Sequence, residues 1–511
     1  MRSHLNTALL ILILFCSACS EPVVEPKKPN IILIYADDLG IGLLSHEGQK
    51  IIQTPNIDKL AQDGIRFQRA YSNMLCAPAR ASLITGLHDS HANGFQITNG
   101  TAYMNATKSN LPEIENKIND KLDSIPEDQI FLGEVAQRMG YKTAQVGKLE
   151  WGFSATDKQM KRHGWDYYLG YLDHVRAHGF YPPFLFENGE IVEFEGNTLV
   201  KAGKSGEPET TENFEERWNM EGKEVYSQTI FMDSILNFID SNKANPFFLY
   251  FPTQLPHGPV SIPAVHPDFV NDERLTQIEK EYASMVKLLD DNVGQILAKL
   301  KENNLEDNTI VIFTADNGHE IYYSEAGRIL KPYTNMQTGE RFDDLERKYY
   351  SDLAGDVFDG NGGRAGMKRS NLEGGINVPL IIRWPGKIKK GRVSNQLIAN
   401  YDILPTLADI TGYTQKHNID GLSFYKELVE DSSFEGHESV VYSSYTGPTL
   451  ISKDGWKLRT HLNKDAFELY FLPDDFREEN DLSKEFPEKF EELKSKLLEL
   501  CDGDYNNGLY K

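Results

Sequence analysis

The chain has 511 residues, 40% of them hydrophobic, with a net charge of −23 and a pI near 5.1. That length is enough to bury one large core and a smaller one, far more than a binding peptide needs, so an enzyme is the expectation. An acidic surface repels DNA, RNA and anionic lipid. Nucleic acid is therefore excluded as a partner, and any anionic substrate must be captured by a local basic pocket.

Residues 1–18 read as a signal peptide: Arg2 and His4, an apolar run over 8–15, then the small Ser17 and Ala18 before Cys19. The run is too short to span a bilayer comfortably. A cysteine directly after Ser-Ala resembles a bacterial lipoprotein cleavage site, although Cys16 stands where leucine is usual. The expectation is export, a lipid anchor on Cys19, and a location in the periplasm or at the cell surface of a bacterium; plain secretion is the alternative. Residues 19–29 carry Pro22, Pro26 and Pro29 among mixed charges and read as the lipidated tether. With Cys16 removed and Cys19 lipidated, Cys76 and Cys501 remain, and their simplest reading is a disulfide or two buried thiols.

Apolar runs of strand length at 31–35, 247–251, 309–314 and 380–382 read as buried strands of a sheet covered on both faces. Helix-period segments at 56–62, 132–139, 226–239 and 275–300 alternate with them, so the fold class is α/β, a layered domain over residues 30–415. A helical pattern at 401–411 ends at Gly412. Residues 416–511 change character, with short strand patterns at 439–442, 456–459 and 468–471 and a last helix at 487–500, which predicts a smaller α+β domain. The acidic stretches 113–129 and 207–224 read as solvated loops and helix faces.

Two strands end in carboxylates. The first runs into Asp37-Asp38, and the one at 309–314 delivers Asp316-Asn317. Adjacent carboxylates repel unless solvated or bound to a cation. Either pair alone is more often a turn or a helix cap. Ligands of α/β sheets bind outside the carboxyl ends of strands, so the two pairs together suit one hard cation held by oxygen, with calcium expected. No Cys or His pair at zinc spacing lies in these segments.

The string Cys76-Ala77-Pro78-Ala79-Arg80 is the most specific in the chain. Proline two after the cysteine suits a helix first turn, which puts Cys76 at a helix N-terminus where the dipole and Arg80 favour an anion. From the residues alone, Cys76 is either a reactive thiol or a buried structural one. The string resembles the Cys-x-Pro-x-Arg signature of type I sulfatases, whose cysteine is converted to formylglycine. With Asp37-Asp38 before it and Asp316-Asn317 after it, the resemblance covers nearly the whole mature chain. It implies the alkaline-phosphatase-like sulfatase fold, a large mixed sheet sandwiched by helices. It also implies a calcium ion on Asp37, Asp38, residue 76, Asp316 and Asn317, and a formylglycine-generating or sulfatase-maturating enzyme as partner. Gly147-Lys148 resembles the family's second signature, which implies that Lys148 contacts the sulfate. His257, in Pro256-His257-Gly258-Pro259, matches the histidine facing the leaving-group oxygen, and Lys368 matches a second sulfate-binding lysine. Arg80 is implied to hold the hydrated formylglycine in position.

Two departures stand out. Many members carry histidine two residues after the signature lysine, where this chain has Glu150. The segment 170–178 resembles one in bacterial members lacking that histidine, which makes His178 the expected substitute. Second, fifty residues separate Asn317 from Lys368, more than is typical, so the segment 321–352 is expected to form part of the pocket rim. Trp151, Phe180, Tyr181, Tyr322, Tyr323, Tyr349 and Tyr350 are candidates for stacking on sugars, although core packing is the ordinary role for most of them. Arg176, Arg328, Lys331, Arg364 and Arg369 are candidate local cations. The expected activity is removal of sulfate from a sulfated glycan. A phosphoester or phosphonate hydrolase of the same superfamily and a non-catalytic glycan-binding lipoprotein are the alternatives.

Overall fold

The computed structural model describes residues 27–95, 100–122, 128–151, 155–206, 210–324, 345, 347–431 and 433–510. The predicted signal peptide and most of the tether lie outside them. Ten strands form one sheet: β1 (Asn30–Ala36), β2 (Ile65–Tyr71), β3 (Lys142–Lys148), β4 (Tyr167–Tyr171), β5 (Phe184–Glu187), β6 (Glu190–Glu193), β7 (Phe247–Pro252), β8 (Thr309–Ala315), β9 (Leu380–Arg383) and β10 (Arg392–Ala399). Their spatial order is β10-β2-β9-β8-β1-β7-β3-β4-β5-β6. The run β8-β1-β7-β3-β4 is parallel throughout. β9 opposes both β8 and β2, so β2 points the same way as β1, and β10 follows β2.

The continuous apolar character of β1 follows from burial on both faces. Ile32, Ile34 and Ala36 enter one core; Ile31, Leu33 and Tyr35, pointing the other way at the period of two, enter the other. β7 and β8 divide their side chains in the same manner. The long helix Gln277–Glu302 covers the first face, starting with a Thr276/Glu279 capping box. The helices Leu132–Arg138 and Ile403–Thr411 cover the second.

A second sheet, β11 (Ser439–Tyr442), β12 (Thr449–Ser452), β13 (Trp456–His461) and β14 (Ala466–Phe471), is an antiparallel meander. The helix Pro487–Leu500 packs Leu493 and Leu497 on one face of it. The other face sets Val440, Tyr442, Ile451 and Tyr470 against Tyr71 and Met74 of the large domain. The expected boundary at 416 falls in a stretch whose Phe424 and Leu428 are buried in the large core. Cys76 and Cys501 are both free, buried thiols, so the disulfide reading does not hold.

Candidate active site

Strand direction assembles the site. The carboxyl ends of β1, β3, β4, β7, β8 and β2 lie at one edge of the sheet and lead into Asp37-Asp38, Lys148, the 172–178 loop, His257, Asp316-Asn317 and Cys76 respectively. β9 runs the other way, so the segment leading into it, which carries Lys368, starts at that same edge.

Asp37 and Asp38 both turn inward because Asp38 takes a left-handed backbone conformation, φ 62°, which an aspartate tolerates. Its amide donates to Asp316 Oδ1 at 3.0 Å. The loop of Lys368 is laced to the end of β8 by Lys368 N–H to His319 O at 2.8 Å and Gly318 N–H to Gly375 O at 2.9 Å. Gly318 has to be glycine there: a Cβ would stand 1.8 Å from Gly374 O.

Three carboxylates meet three cations in a buried cluster. Arg80 Nη2 lies 2.8 Å from Asp316 Oδ2 and 3.2 Å from Asp37 Oδ2, Lys148 Nζ lies 2.8 Å from Asp37, and Lys368 Nζ lies 2.7 Å from Asp38. Burial alone would raise the Asp37 carboxyl, but Lys148, Arg80 and Lys368 hold it below the ordinary carboxylate range. Asp316 goes the other way, raised by burial and by the charge of Asp37. Asn317 Nδ2 donates to Asp38 at 2.7 Å, and the Tyr322 hydroxyl donates to the other oxygen of Asp38. Asp37 Oδ1 and Asn317 Oδ1 are buried with no hydrogen-bond partner among the described residues. Two orphaned oxygens beside two further carboxylates are what a hard cation would satisfy, and the donor set is that of calcium or magnesium. Ligand atoms of Asp37, Asp38, Cys76 and His257 fall within 4.8 Å of one another.

Cys76 opens the helix Cys76–Thr85, as expected from Pro78, and its Sγ is 3.5 Å from Lys368 Nζ. Burial pushes the thiol up to about 11 despite Lys148 and Lys368. The N-terminal position does not make it a thiolate, so an unmodified cysteine here is a poor nucleophile. Arg80 Nε and Nη1 carry no partner among the described residues, and its guanidinium lies over the Tyr35 ring at 5.4 Å.

The histidines form a stack. His257 Nδ1 contacts the Gly258 carbonyl, which leaves Nε2 facing the cluster, 3.5 Å from Asp38. His178 lies parallel on His257 with centroids 4.0 Å apart, and His174 meets His178 edge-on at 4.3 Å. Burial, then His174, keeps His178 neutral. His178 is thus placed on the wall formed by His257. Glu150 accepts from Trp165 Nε1 at 2.8 Å and pairs with His163, all three buried.

Several expected contacts do not form. Trp151, Phe180, Tyr181, Tyr322, Tyr323 and Tyr349 are buried in the cores and offer no face to a sugar, and the half-buried Tyr350 bonds to the Arg477 carbonyl. Arg176 is fully buried on Asp173 at 2.8 Å, and Arg369 pairs with Glu320. Residues 325–344 of the expected rim, with Arg328 and Lys331, lie outside the described residues. Sequence reasoning missed Tyr322 as a donor to Asp38, and it missed His174 and Tyr445. Tyr445 comes from the small domain and is close enough to Arg369 and Lys368 for their charge to temper the rise that burial gives its hydroxyl.

A family model described as Sulfatase matches residues 29–413, most of the chain. The chain belongs to the sulfatase family. A second model, described as N-sulphoglucosamine sulphohydrolase, C-terminal, matches residues 366–502 of this sulfatase. It is 28% identical to the N-acetylgalactosamine-6-sulfatase of Homo sapiens over 84% of its own length and 70% of that protein. It is also 28% identical to the N-acetylgalactosamine-6-O-sulfatase of Bacteroides thetaiotaomicron, over 93% of both chains. A solved sulfatase structure, from work on glycosaminoglycan metabolism by Bacteroides thetaiotaomicron, superposes with a TM-score of 0.69 at 25% identity, covering 93% of this sulfatase and 100% of that chain.

Proposed function

We propose that this sulfatase removes sulfate from a sulfated carbohydrate, using formylglycine made from Cys76 and a calcium ion. The observation that carries the reading is the cluster itself: Cys76 beside Lys368, in a set of acidic and basic groups that cancel, with Asp37 Oδ1 and Asn317 Oδ1 unsatisfied. A divalent cation on Asp37, Asp38, Asp316 and Asn317 would leave the site net positive and therefore receptive to a sulfate ester. Formylglycine would supply a geminal hydroxyl as nucleophile at position 76, where burial favours the protonated thiol.

The chain's own groups then have distinct tasks. Lys148 and Lys368, both buried, neutralise charge growing on the sulfuryl oxygens, where weak solvent screening makes such interactions count most. His257 Nε2 gives its proton to the departing sugar oxygen, its other nitrogen being fixed by the Gly258 carbonyl. Arg80 holds Asp37 and Asp316 in place and keeps two N–H groups for residue 76. His178 orients His257 through the ring stack. A carbohydrate substrate is supported by the relatives, named for N-acetylgalactosamine 6-sulfate esters.

Mass spectrometry of the peptide containing Cys76 tests the modification, and turnover of defined sulfated oligosaccharides tests the substrate. Unmodified cysteine in active protein, or faster cleavage of a phosphate ester than of every sulfate ester, overturns the reading. Export and anchoring through Cys19 belong to the same proposal, and Cys19→Ala should move the protein from the membrane fraction to the soluble one.

A further inference from the structure

A second cluster of metal-ligating side chains stands apart from Cys76, beyond the far end of its helix. His88 and His91 follow the helix Cys76–Thr85, and their rings stack face to face with centroids 3.8 Å apart and planes 14° from parallel. Both present Nε2 to the same carboxylate oxygen: Asp420 Oδ2 is 3.0 Å from His91 Nε2 and 3.8 Å from His88 Nε2. One ligand atom from each of the three residues lies within 4.8 Å of the others.

The surroundings orient these atoms. His91 Nδ1 lies 3.2 Å from Asp502 Oδ2, which also accepts the Ala92 N–H at 2.9 Å. A carboxylate on Nδ1 fixes that proton and leaves the Nε2 lone pair for a cation, the arrangement that supports metal-bound imidazoles. Asp420 Oδ2 is itself held by the His88 N–H at 2.8 Å. A cavity of about 380 Å³, bordered by His88, His91, His417 and Asp502, gives a cation access and room for water ligands.

A proton on His91, which Asp420 and Asp502 favour, competes with a metal here, but it leaves His88 Nε2 3.8 Å from Asp420 Oδ2, beyond hydrogen-bond distance. A single divalent ion takes both lone pairs and the carboxylate together. Tetrahedral zinc, with bonds of about 2.0–2.2 Å, needs ligand atoms about 3.3 Å apart, so His88 Nε2, 3.8 Å from Asp420 Oδ2, must draw in by about half an ångström while His91 Nε2, at 3.0 Å, eases slightly outward. The 3.3 Å contact of Ser90 N–H with His88 Nδ1 is released when His88 binds through Nε2.

We propose that His88, His91 and Asp420 bind a divalent transition-metal ion, zinc above all, at a site separate from the catalytic cation. The ligands come from the loop after the nucleophile helix and from the segment entering the small domain; Asp502, which supports His91, follows the last helix. A bound ion fastens these three stretches together.

The test uses the full mature chain with calcium saturating, so that the oxygen-lined catalytic site is filled. After equilibrium dialysis against zinc, elemental analysis should find one equivalent of zinc in the wild type and none in the His88→Gln/His91→Gln double variant. Zinc should raise the unfolding temperature of the wild type only. Asp502→Asn should weaken zinc binding about 10- to 100-fold, as loss of a supporting carboxylate does. His91→Gln alone, at a one-third exposed position, serves if the double variant does not fold. Equal zinc content in wild type and variants, or none in the wild type, overturns the proposal.

Discussion

Replacing Lys368 by methionine separates a reacting charge from a structural one. Its ammonium is buried, 2.7 Å from Asp38 and 3.5 Å from Cys76 Sγ. Burial pulls its pKa down, but Asp38 more than offsets this and holds it above the ordinary lysine range, so it stays charged at any working pH. Were the lysine an ordinary exposed ion pair, its loss would cost at most about 1 kcal/mol, a fall of about fivefold. As a donor aimed at the sulfuryl oxygens, it should be worth about 2.7–4 kcal/mol, a fall of about 10²–10³ in kcat. The assay is kcat and KM on a chromogenic aryl sulfate, normalised to the fraction of residue 76 converted to formylglycine, with Lys368→Arg for comparison. The fold should survive in calcium because Asp38 keeps Asn317 and Tyr322 as donors. In chelator the variant should lose more stability than in calcium, since a buried carboxylate has then lost its counter-charge. A fall of less than tenfold, at equal conversion and folding, would refute this role.

His178→Ala should slow turnover about a hundredfold by releasing His257 from its stack, while His178→Phe, which keeps a ring face, should recover part of the rate. Wild-type rates in the alanine variant would show that the residue serves only structure. Chelation should lower the unfolding temperature, and calcium at 100 to 1,000 times its Kd should restore about 2.7–4.1 kcal/mol. Asn317→Ala should raise the calcium needed, and a chain indifferent to calcium and magnesium would sink the metal assignment. The pH dependence of stability should carry a contribution from His437, whose Nε2 is 2.6 Å from Asp402. Burial lowers its pKa, yet Asp402 raises it above the ordinary value by a larger amount. The folded state therefore favours the protonated ring: the contribution is full below about pH 6.5 and is lost as pH rises through the higher folded value. Thermal unfolding from pH 6 to 9 should show this loss in wild type, and a His437→Gln variant with the same slope would count against it.

The apolar strands at 31–35, 247–251 and 309–314 were legible because burial on both faces leaves no polar alternation to confuse with a helix. β3, with Lys142, Thr143, Gln145 and Lys148, has no continuous apolar run; Thr143 is recruited to a hydrogen bond with the Gly164 carbonyl and Lys148 to the site. β2, with Arg66, Gln68 and Arg69, offers no apolar run to read, since Arg66 and Arg69 reach outward to Glu47 and to carbonyls of the small domain. The metal-side residues could be read as pairs after strands. His174, Tyr322 and Tyr445 could not, because nothing local distinguishes them; each acquires its place from a loop that only tertiary packing brings to the sheet edge. Arg176 looked like a free cation for the opposite reason, its partner Asp173 being masked by ordinary spacing.

The adjacency of β1 and β8 has a temporal consequence. Asn317 and Asp38 share a hydrogen bond although they are 279 positions apart in the chain, and the strands that lead into them pair in full register. Closing so long a loop is entropically costly and late, since parallel pairing across a crossover is rewarded only once both strands and their covering helices are present. A growing chain therefore exposes Asp37 and Asp38 as a mere repelling pair until β8 has been made and docked. The proposed cation site is therefore incomplete until β8 has docked on β1, so uptake of a cation there would report that this strand pairing has formed.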